Sequence, residues 1–218
     1  MNKNINVFNL NEVLKKYNII PKGVIHIGAH LGEEYNMYKS FNLKNKTVWI
    51  EANPEQIDQL KKNIKDDIVI NEAVSNEEML VNFYITKNSN ANSNNKESSS
   101  LKELDYHLIA HPSVSVNKII KVKTKKMINI IDEYNIDMTQ YDFLNIDTQG
   151  SELDIFKSFD DDIKYINYIY SEVNTKPLYK NIGLISDIDF YLEKKGFKRV
   201  ERKIHNNVGW GQAFYIRI

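Results

Sequence analysis

Short apolar runs rich in β-branched residues alternate along the chain with segments of helical spacing. The run at 24–27 precedes Gly28 and a helical pattern that ends near Phe41. A second unit of the same kind joins a strand at 47–50 to a helix opened by Pro54, because proline is tolerated at the first helical position. This alternation predicts a parallel, doubly wound sheet with helices on both of its faces.

The remaining elements extend the pattern but end it differently. Further strands are predicted at 68–70, 79–85, 119–124, 143–146 and 165–173, and further helices at 101–109, 127–134, 152–159 and 185–195. No helix separates the last two strands, at 197–203 and 212–218, so they are predicted to pair as an antiparallel hairpin. The expected fold is α/β and Rossmann-like, with a mostly parallel seven-stranded sheet and a C-terminal antiparallel hairpin.

The length of 218 residues favours a single domain. Apolar residues at helical spacing behind Asn9 predict an N-terminal helical extension within 1–22, which leaves 23–218 as the domain. Residues 87–97 are mostly Asn, Ser and Lys. Such a composition buries little apolar area, so this segment is predicted to be a flexible loop.

Charge and cysteine content limit the partners and the compartment. Twenty-nine Lys and Arg residues balance 29 Asp and Glu residues, so no net field attracts phosphates or anionic lipids. Neither nucleic acid nor membrane is therefore expected as a partner, and the basic run at 118–126 is interpreted as a solvated strand face. Cysteine is absent, and no apolar segment resembles a signal peptide or spans a bilayer. A cytoplasmic protein is expected.

The ends of the first two predicted strands suit a nucleotide-like ligand. Gly28 and Gly32 let the backbone pass close to a ligand, although the three-glycine dinucleotide fingerprint is incomplete. Glu51 follows roughly 20 residues later at a strand end, where a carboxylate can accept hydrogen bonds from both ribose hydroxyls. An adenosine-containing ligand is favoured, and the alternative is a tight turn followed by a solvated glutamate.

Six ordered blocks of sequence resemble the FkbM family of S-adenosylmethionine-dependent methyltransferases, from about residue 24 to the C-terminus. The blocks are Gly28, Ala29, His30 and Gly32; 51–54; 71–74; 98–101; 146–152; and a C-terminal group at 172–173, 178–179, 196–197 and 211–214. The resemblance implies a class I methyltransferase fold and S-adenosylmethionine as the cofactor.

The resemblance also implies where the cofactor binds. Its methionine part would lie against Gly28, Ala29, His30 and Gly32, its ribose against Glu51 in the block that contains Ala52 and Asn53, and its adenine against Glu72, Ala73 and Val74. Two residues depart from the family pattern. His26 stands where many members carry an acidic residue, and His30 stands where Asn is usual. His30 is predicted either to donate to the cofactor carboxylate or to bond locally near the helix start.

Asp147 is the first candidate for the group that accepts a proton from the methyl acceptor. It ends a buried predicted strand beside the expected cofactor cleft, where an anion can hold a hydroxyl and take its proton. Gln149 is predicted to orient the acceptor, and Glu172, ending the next strand, is the second base candidate. The alternative for Glu172 is an ion pair with Lys176. Glu152, in the first turn of a helix, suits a structural role at least as well.

Candidate acceptor contacts are Ser99, Ser100, Gln149, Lys176 and Trp210. Trp210 lies between two glycines in the predicted hairpin loop, and it would either stack on a sugar face or pack within that loop. Ser100 and Glu103 also have capping-box spacing, which would make the serine cluster a helix start. His107 and His111 are interpreted as surface histidines, and no metal site is predicted.

The resemblance favours methyl transfer to a hydroxyl of a sugar, a glycan or a related small molecule. One alternative is an NAD-dependent oxidoreductase, which shares the glycine turn and Glu51 but would need the third glycine. A second is a catalytically inactive module that binds an adenosyl ligand. A nucleic-acid 2′-O-methyltransferase ranks lower, because no basic, aromatic-bearing surface is predicted. The acceptor and the oligomeric state are left open, a homodimer being one option.

Overall fold

The computed structural model describes residues 9–90, 98–205 and 207–218. Its strands are β1 (Val24–Ile27), β2 (Val48–Ile50), β3 (Ile68–Ile70), β4 (Ala73–Val74), β5 (Leu80–Asn88), β6 (Val114–Lys125), β7 (Phe143–Ile146), β8 (Tyr168–Asn174), β9 (Phe197–Ile204) and β10 (Trp210–Arg217). Its α-helices are α1 (Leu10–Lys16), α2 (Tyr35–Ser40), α3 (Ile57–Asn63), α4 (His107–Ala110), α5 (Met127–Glu133), α6 (Glu152–Ser158) and α7 (Ile185–Lys194). Short 3-10 helices cover Met138–Gln140 and Asp162–Tyr165.

Seven strands form the main sheet, in the order β3-β2-β1-β7-β8-β10-β9. The first five are parallel, and β10 runs antiparallel to both β8 and β9. The predicted seven-stranded, mostly parallel sheet with its C-terminal antiparallel hairpin is therefore confirmed. The chain leaves β1 towards β2 and later returns on the other side of β1 as β7. This reversal places a topological switch point, where ligands of such sheets bind, between the carboxyl ends of β1 and β7.

Helices cover both faces of the main sheet. On one face α5, α6 and α7 pack beneath Ile25 and Ile50, and on the other α1, α2 and α3 pack on Val24 and Trp49. Neighbouring residues of one strand point to opposite faces, so both faces of β1 and β2 are buried. Burial on both sides explains why these strands are almost wholly apolar in sequence, with His26 of β1 as the exception.

The other three strands form a separate sheet, in the order β4-β6-β5, which the sequence pattern did not predict. The pairing of β5 with β6 continues through Lys87 opposite Ser115 and Asn88 opposite Val114. The prediction of a loop at 87–97 is therefore wrong at Lys87 and Asn88. Pairing with β6 outweighs the low strand propensity of these polar residues. Residues 91–97 of that loop lie outside the described part of the chain, as do residues 1–8 of the predicted N-terminal extension.

The helix predicted at 101–109 is reduced to α4. The backbone N–H groups of Asp105 and His107 both donate to the carbonyl of Leu178, and Leu104 forms an isolated β-bridge with Tyr179. These tertiary bonds hold the segment before α4 against the residues that follow β8. Helical spacing in the sequence did not reveal this competition, because the partners lie far away along the chain.

Gly28 lets β1 and β7 lie close together where both strands end. Its φ is +87°, and a Cβ at this position would overlap the backbone carbonyl of Asp147. The glycine is thus required by the packing of the two loops at the switch point, and not only by a ligand.

Replacing Gly28 by Ala is expected to lower the free energy of unfolding by about 2–4 kcal/mol, from backbone strain and overlap together. Gly196→Ala is the matched control, since Gly196 has a similar φ of +83° but its nearest neighbouring atom would lie 3.6 Å from the new Cβ. The control should lose about 1 kcal/mol. Chemical denaturation measures both values, and equal losses would show that the contact with Asp147 does not constrain the fold.

Candidate cofactor and acceptor site

A cavity of about 470 Å³ lies at the carboxyl ends of β1, β2, β7 and β8, beside the switch point. Small-molecule sites are typically about 300–1,000 Å³, so this volume is suited to such a ligand. The predicted site residues that line the cavity are His26, Gly28, His30, Glu51, Ala52, Glu72, Val74, Ser99, Asp147, Gln149, Glu172 and Trp210. The sheet thus brings together residues that are far apart in the sequence.

Other predicted site residues lie outside the described lining: Ala29, Gly32, Asn53, Ala73, Ser100 and Lys176. A Cβ on Gly32 would crowd Leu60 and Ile64, so this glycine serves the packing of α3. The Lys176 ammonium instead donates to the carbonyl of Asn207 and lies 5.3 Å from the centre of the Tyr106 ring. A direct contact between Lys176 and a ligand in this cavity is therefore not supported.

Glu51 connects the first two loops of the sheet. Its carboxylate accepts the backbone N–H of His30 at 2.8 Å and that of Asn53 at 2.7 Å. Burial raises the pKa of Glu51 above its ordinary value. A carboxylate has about four acceptor positions, so Glu51 can hold both loops and still accept from a ligand hydroxyl.

The two histidines that depart from the family pattern are held by protein groups. His30 Nδ1 lies 2.6 Å from Glu33 Oε1, which is the local bonding that was one of its two predicted roles. His26 is buried, and its Nδ1 lies 3.2 Å from the Tyr38 hydroxyl, which accepts from Asn145. Burial lowers the pKa of His26 to about 3, so its ring is neutral.

The two base candidates are joined by one side-chain amide. The Gln149 Nε2 donates to Asp147 Oδ1 at 2.7 Å and to Glu172 Oε2 at 2.6 Å. Its Oε1 accepts the Tyr179 hydroxyl at 2.7 Å. Burial and the charges of Asp147 and Glu152 raise the pKa of Glu172 well above its ordinary value. Glu172 therefore retains its proton at a pH where an exposed glutamate is ionised.

The loop that carries Gln149 is held from several sides. The φ of Gln149 is +60°, in the left-handed region. Glu152 Oε1 accepts hydrogen bonds from the backbone N–H groups of Thr148 and Gly150. Glu152 therefore has a structural role, which was one of the two considered from the sequence. The Ser100 hydroxyl donates to the Gln149 carbonyl at 2.7 Å. Ser100 thus positions the loop, and it neither starts a helix nor lines the cavity.

The sequence interpretation of His107 as a surface histidine is wrong. His107 is buried and lines the cavity, as does its neighbour His111, whose ring centre lies 4.7 Å away. The centre of the Tyr179 ring lies 5.2 Å from that of His107. Burial lowers the pKa of His107 to about 4. Helical spacing gave no signal for this placement, because the backbone bonds to Leu178 create it.

Further lining residues were missed, among them Glu33, Glu34, Gln56, Thr148, Ser151 and Gln212. Gln212 belongs to a block of the family resemblance, which was the one sequence signal for it. Trp210 is the first residue of β10 and not part of the hairpin loop. Its ring is half-buried, and its centre lies 4.5 Å from that of His205.

The chain matches the Methyltransferase FkbM domain over residues 26–199. It belongs to the FkbM methyltransferase family. The cofactor of this family, and of this methyltransferase, is S-adenosylmethionine. The predicted family, cofactor and class I methyltransferase fold are thereby confirmed, and the oxidoreductase alternative is set aside.

Two solved structures are similar to the chain at low identity. TrmK of M. capricolum, in complex with S-adenosyl-homocysteine, is 11% identical with a TM-score of 0.52, over 96% of this chain and 67% of that chain. Magnesium protoporphyrin IX methyltransferase of Synechocystis PCC 6803, with bound cofactor, is 8% identical with a TM-score of 0.49, over 96% and 76% of the two chains. No curated protein matches the chain.

Two further observations concern the described ranges only. None of the helices within 9–90, 98–205 and 207–218 is long and apolar enough to cross a membrane. In the same residues, no three side chains of His, Asp or Glu are grouped so that they could hold a metal ion.

Glu51→Ala is expected to weaken the binding of S-adenosylhomocysteine by roughly 2 kcal/mol or more, about 30-fold, because a charged acceptor is lost. Titration calorimetry measures the dissociation constant. Glu55→Ala is the control, since Glu55 pairs with Lys118 outside the cavity lining. An unchanged dissociation constant in a folded Glu51→Ala protein would remove Glu51 from the site.

Proposed function

We propose that this methyltransferase transfers a methyl group to a hydroxyl oxygen of a small molecule, a sugar or a glycan. The observation that carries the proposal is the Asp147–Gln149–Glu172 cluster at the strand ends. It combines groups that can hold a hydroxyl with a carboxyl that can take its proton. We also propose that the protein acts without a nucleic-acid or membrane partner, since its charges balance, and that it is cytoplasmic, since its sequence has no cysteine.

The lining of the cavity fits the cofactor. Glu51 would accept from the ribose, Glu72 and Val74 would flank the adenine, and Gly28 with His30 would lie beside the methionine end. The carboxylate of Glu72 is already bound to Lys125 at 2.6 Å, so it would act mainly through its position. When bound, S-adenosylmethionine supplies a methyl group on a positively charged sulfur.

Asp147 and Glu172 are suited to manage the proton of the acceptor. A hydroxyl must lose its proton as its oxygen becomes methylated, and a positioned carboxylate can receive it. Asp147 remains the first candidate. Glu172 is the second, because its raised pKa makes its ionised form a stronger base than an ordinary glutamate. Gln149 binds one oxygen of each carboxyl group and so restrains the orientation of both.

The acceptor side of the cavity offers ring faces and polar groups together. Trp210 and His107 supply the rings, and Ser99 and Gln212 supply hydrogen-bonding groups. Sites with a few aromatic faces and a few placed polar groups are typical of small-molecule recognition, and an aromatic face packs well on a sugar ring. These residues support a hydroxylated ring compound as the acceptor.

Methyl transfer to glycosides, sugar nucleotides and small hydroxylated compounds, followed by mass spectrometry, tests the proposal. The expected product carries one added methyl group on oxygen. Asp147→Asn should lower turnover by about 100-fold or more while affinity for S-adenosylhomocysteine stays nearly intact. Asp132→Asn, an exposed change on α5, is the control.

The possible results separate the candidate roles. An Asp147→Asn enzyme with near wild-type rates would eliminate Asp147 as the base. Methylation on nitrogen would contradict the proposed reaction class. Binding of the cofactor without turnover on any acceptor would favour the alternative, an inactive adenosyl-binding module.

A further inference from the structure

Glu34 lies directly after the glycine turn, just before α2, and lines the cavity beside β1. Its Oε2 is 3.8 Å from Nδ1 of His26, and 33% of its side chain is exposed. The sequence motifs gave it no role.

The groups around Glu34 compensate its charge only in part, because burial and two neighbouring carboxylates outweigh its backbone hydrogen bond and the attraction of His30. Its neighbour His26 is neutral because burial lowers the pKa of that ring to about 3. Asp147 and Glu33 repel the Glu34 carboxylate, and His30 attracts it more weakly. Burial and the charge of Asp147 together raise the pKa of Glu34 to about 7. The hydroxyls of Tyr38 and Tyr170 also lie within its electrostatic reach, and neither supplies a positive charge.

A half-buried carboxylate in this state is stabilised by a cation that enters the cavity. S-adenosylmethionine carries two positive centres, the sulfonium and the ammonium of its methionine part. Under the proposed function, Asp147 and Glu172 would lie where the methyl group is transferred, and Glu51 and Glu72 would lie along the nucleoside. Glu34 stands next to the glycine turn, at the remaining end.

We propose that the Glu34 carboxylate binds the ammonium group of the methionine part of the cofactor. The inference rests on the placement of the cofactor under the proposed function. Glu33 is a weaker candidate, because its two oxygens are bound to His30 and to the N–H of Leu31. Many family members carry an acidic residue on β1 at the position of His26. In this chain Glu34, at the start of α2, supplies an acidic group in its place.

Two ligands isolate this contact. S-adenosylhomocysteine contains the ammonium group, whereas 5′-methylthioadenosine keeps the nucleoside and the thioether and has no amino-acid part. Glu34→Gln should weaken the binding of S-adenosylhomocysteine about tenfold or more, the scale of losing a charge-assisted hydrogen bond. It should leave the binding of 5′-methylthioadenosine unchanged. Glu33→Gln tests the neighbouring carboxylate in the same way. Glu193→Gln, an exposed change on α7, is the control, and titration calorimetry is the measurement.

Each result has a defined meaning. A selective loss of S-adenosylhomocysteine in Glu34→Gln alone supports the assignment. An unchanged affinity, an equal loss of both ligands, or a selective loss only in Glu33→Gln would overturn it while the cofactor site stands. Wild-type protein that binds neither ligand would overturn the placement of the cofactor itself, and the inference with it.

Discussion

The side-chain amide of Gln149 links the ends of two neighbouring parallel strands, and the chemistry proposed for the cavity depends on it. Two carboxyl groups held near each other in a buried place cannot both ionise without cost. One N–H₂ group that donates to Asp147 and to Glu172 reduces that cost and fixes both orientations. The raised pKa of Glu172 reflects its burial first, and then the repulsion that remains.

Residues from several parts of the fold hold Gln149 and its loop in place. Tyr179, which packs in the small core beside the three-stranded sheet, donates to Gln149. Ser100, paired with Tyr84 of β5, donates to the Gln149 backbone carbonyl, so the separate sheet is connected to the Asp147–Gln149–Glu172 cluster. Glu152 holds the same loop from the start of α6. Gln149 keeps its left-handed backbone conformation because these neighbouring residues hold the loop on several sides.

The parallel strands and the residues at their ends could be predicted because each signal is local. Val24–Ile27 and Phe143–Ile146 are mostly apolar runs followed by polar or glycine residues, and a parallel sheet brings such ends together at one edge. The placement of His107, Ser100 and Glu34 could not be predicted in the same way. His107 and Ser100 are positioned by bonds to Leu178 and Gln149, distant in sequence. Glu34 matters because His26 is buried and neutral, which only the packing reveals.

The most direct test of this account compares the affinities of S-adenosylmethionine and S-adenosylhomocysteine as the pH rises through the ionisation of Glu172. Below that pH Glu172 is neutral, and a nearby sulfonium favours its carboxylate, so binding of the charged donor should release a proton. Both ligands carry the ammonium group, so its contribution cancels in the ratio of affinities. The account predicts that this ratio shifts towards S-adenosylmethionine with increasing pH. A ratio that stays constant across the titration would contradict a sulfonium beside the Asp147–Gln149–Glu172 cluster.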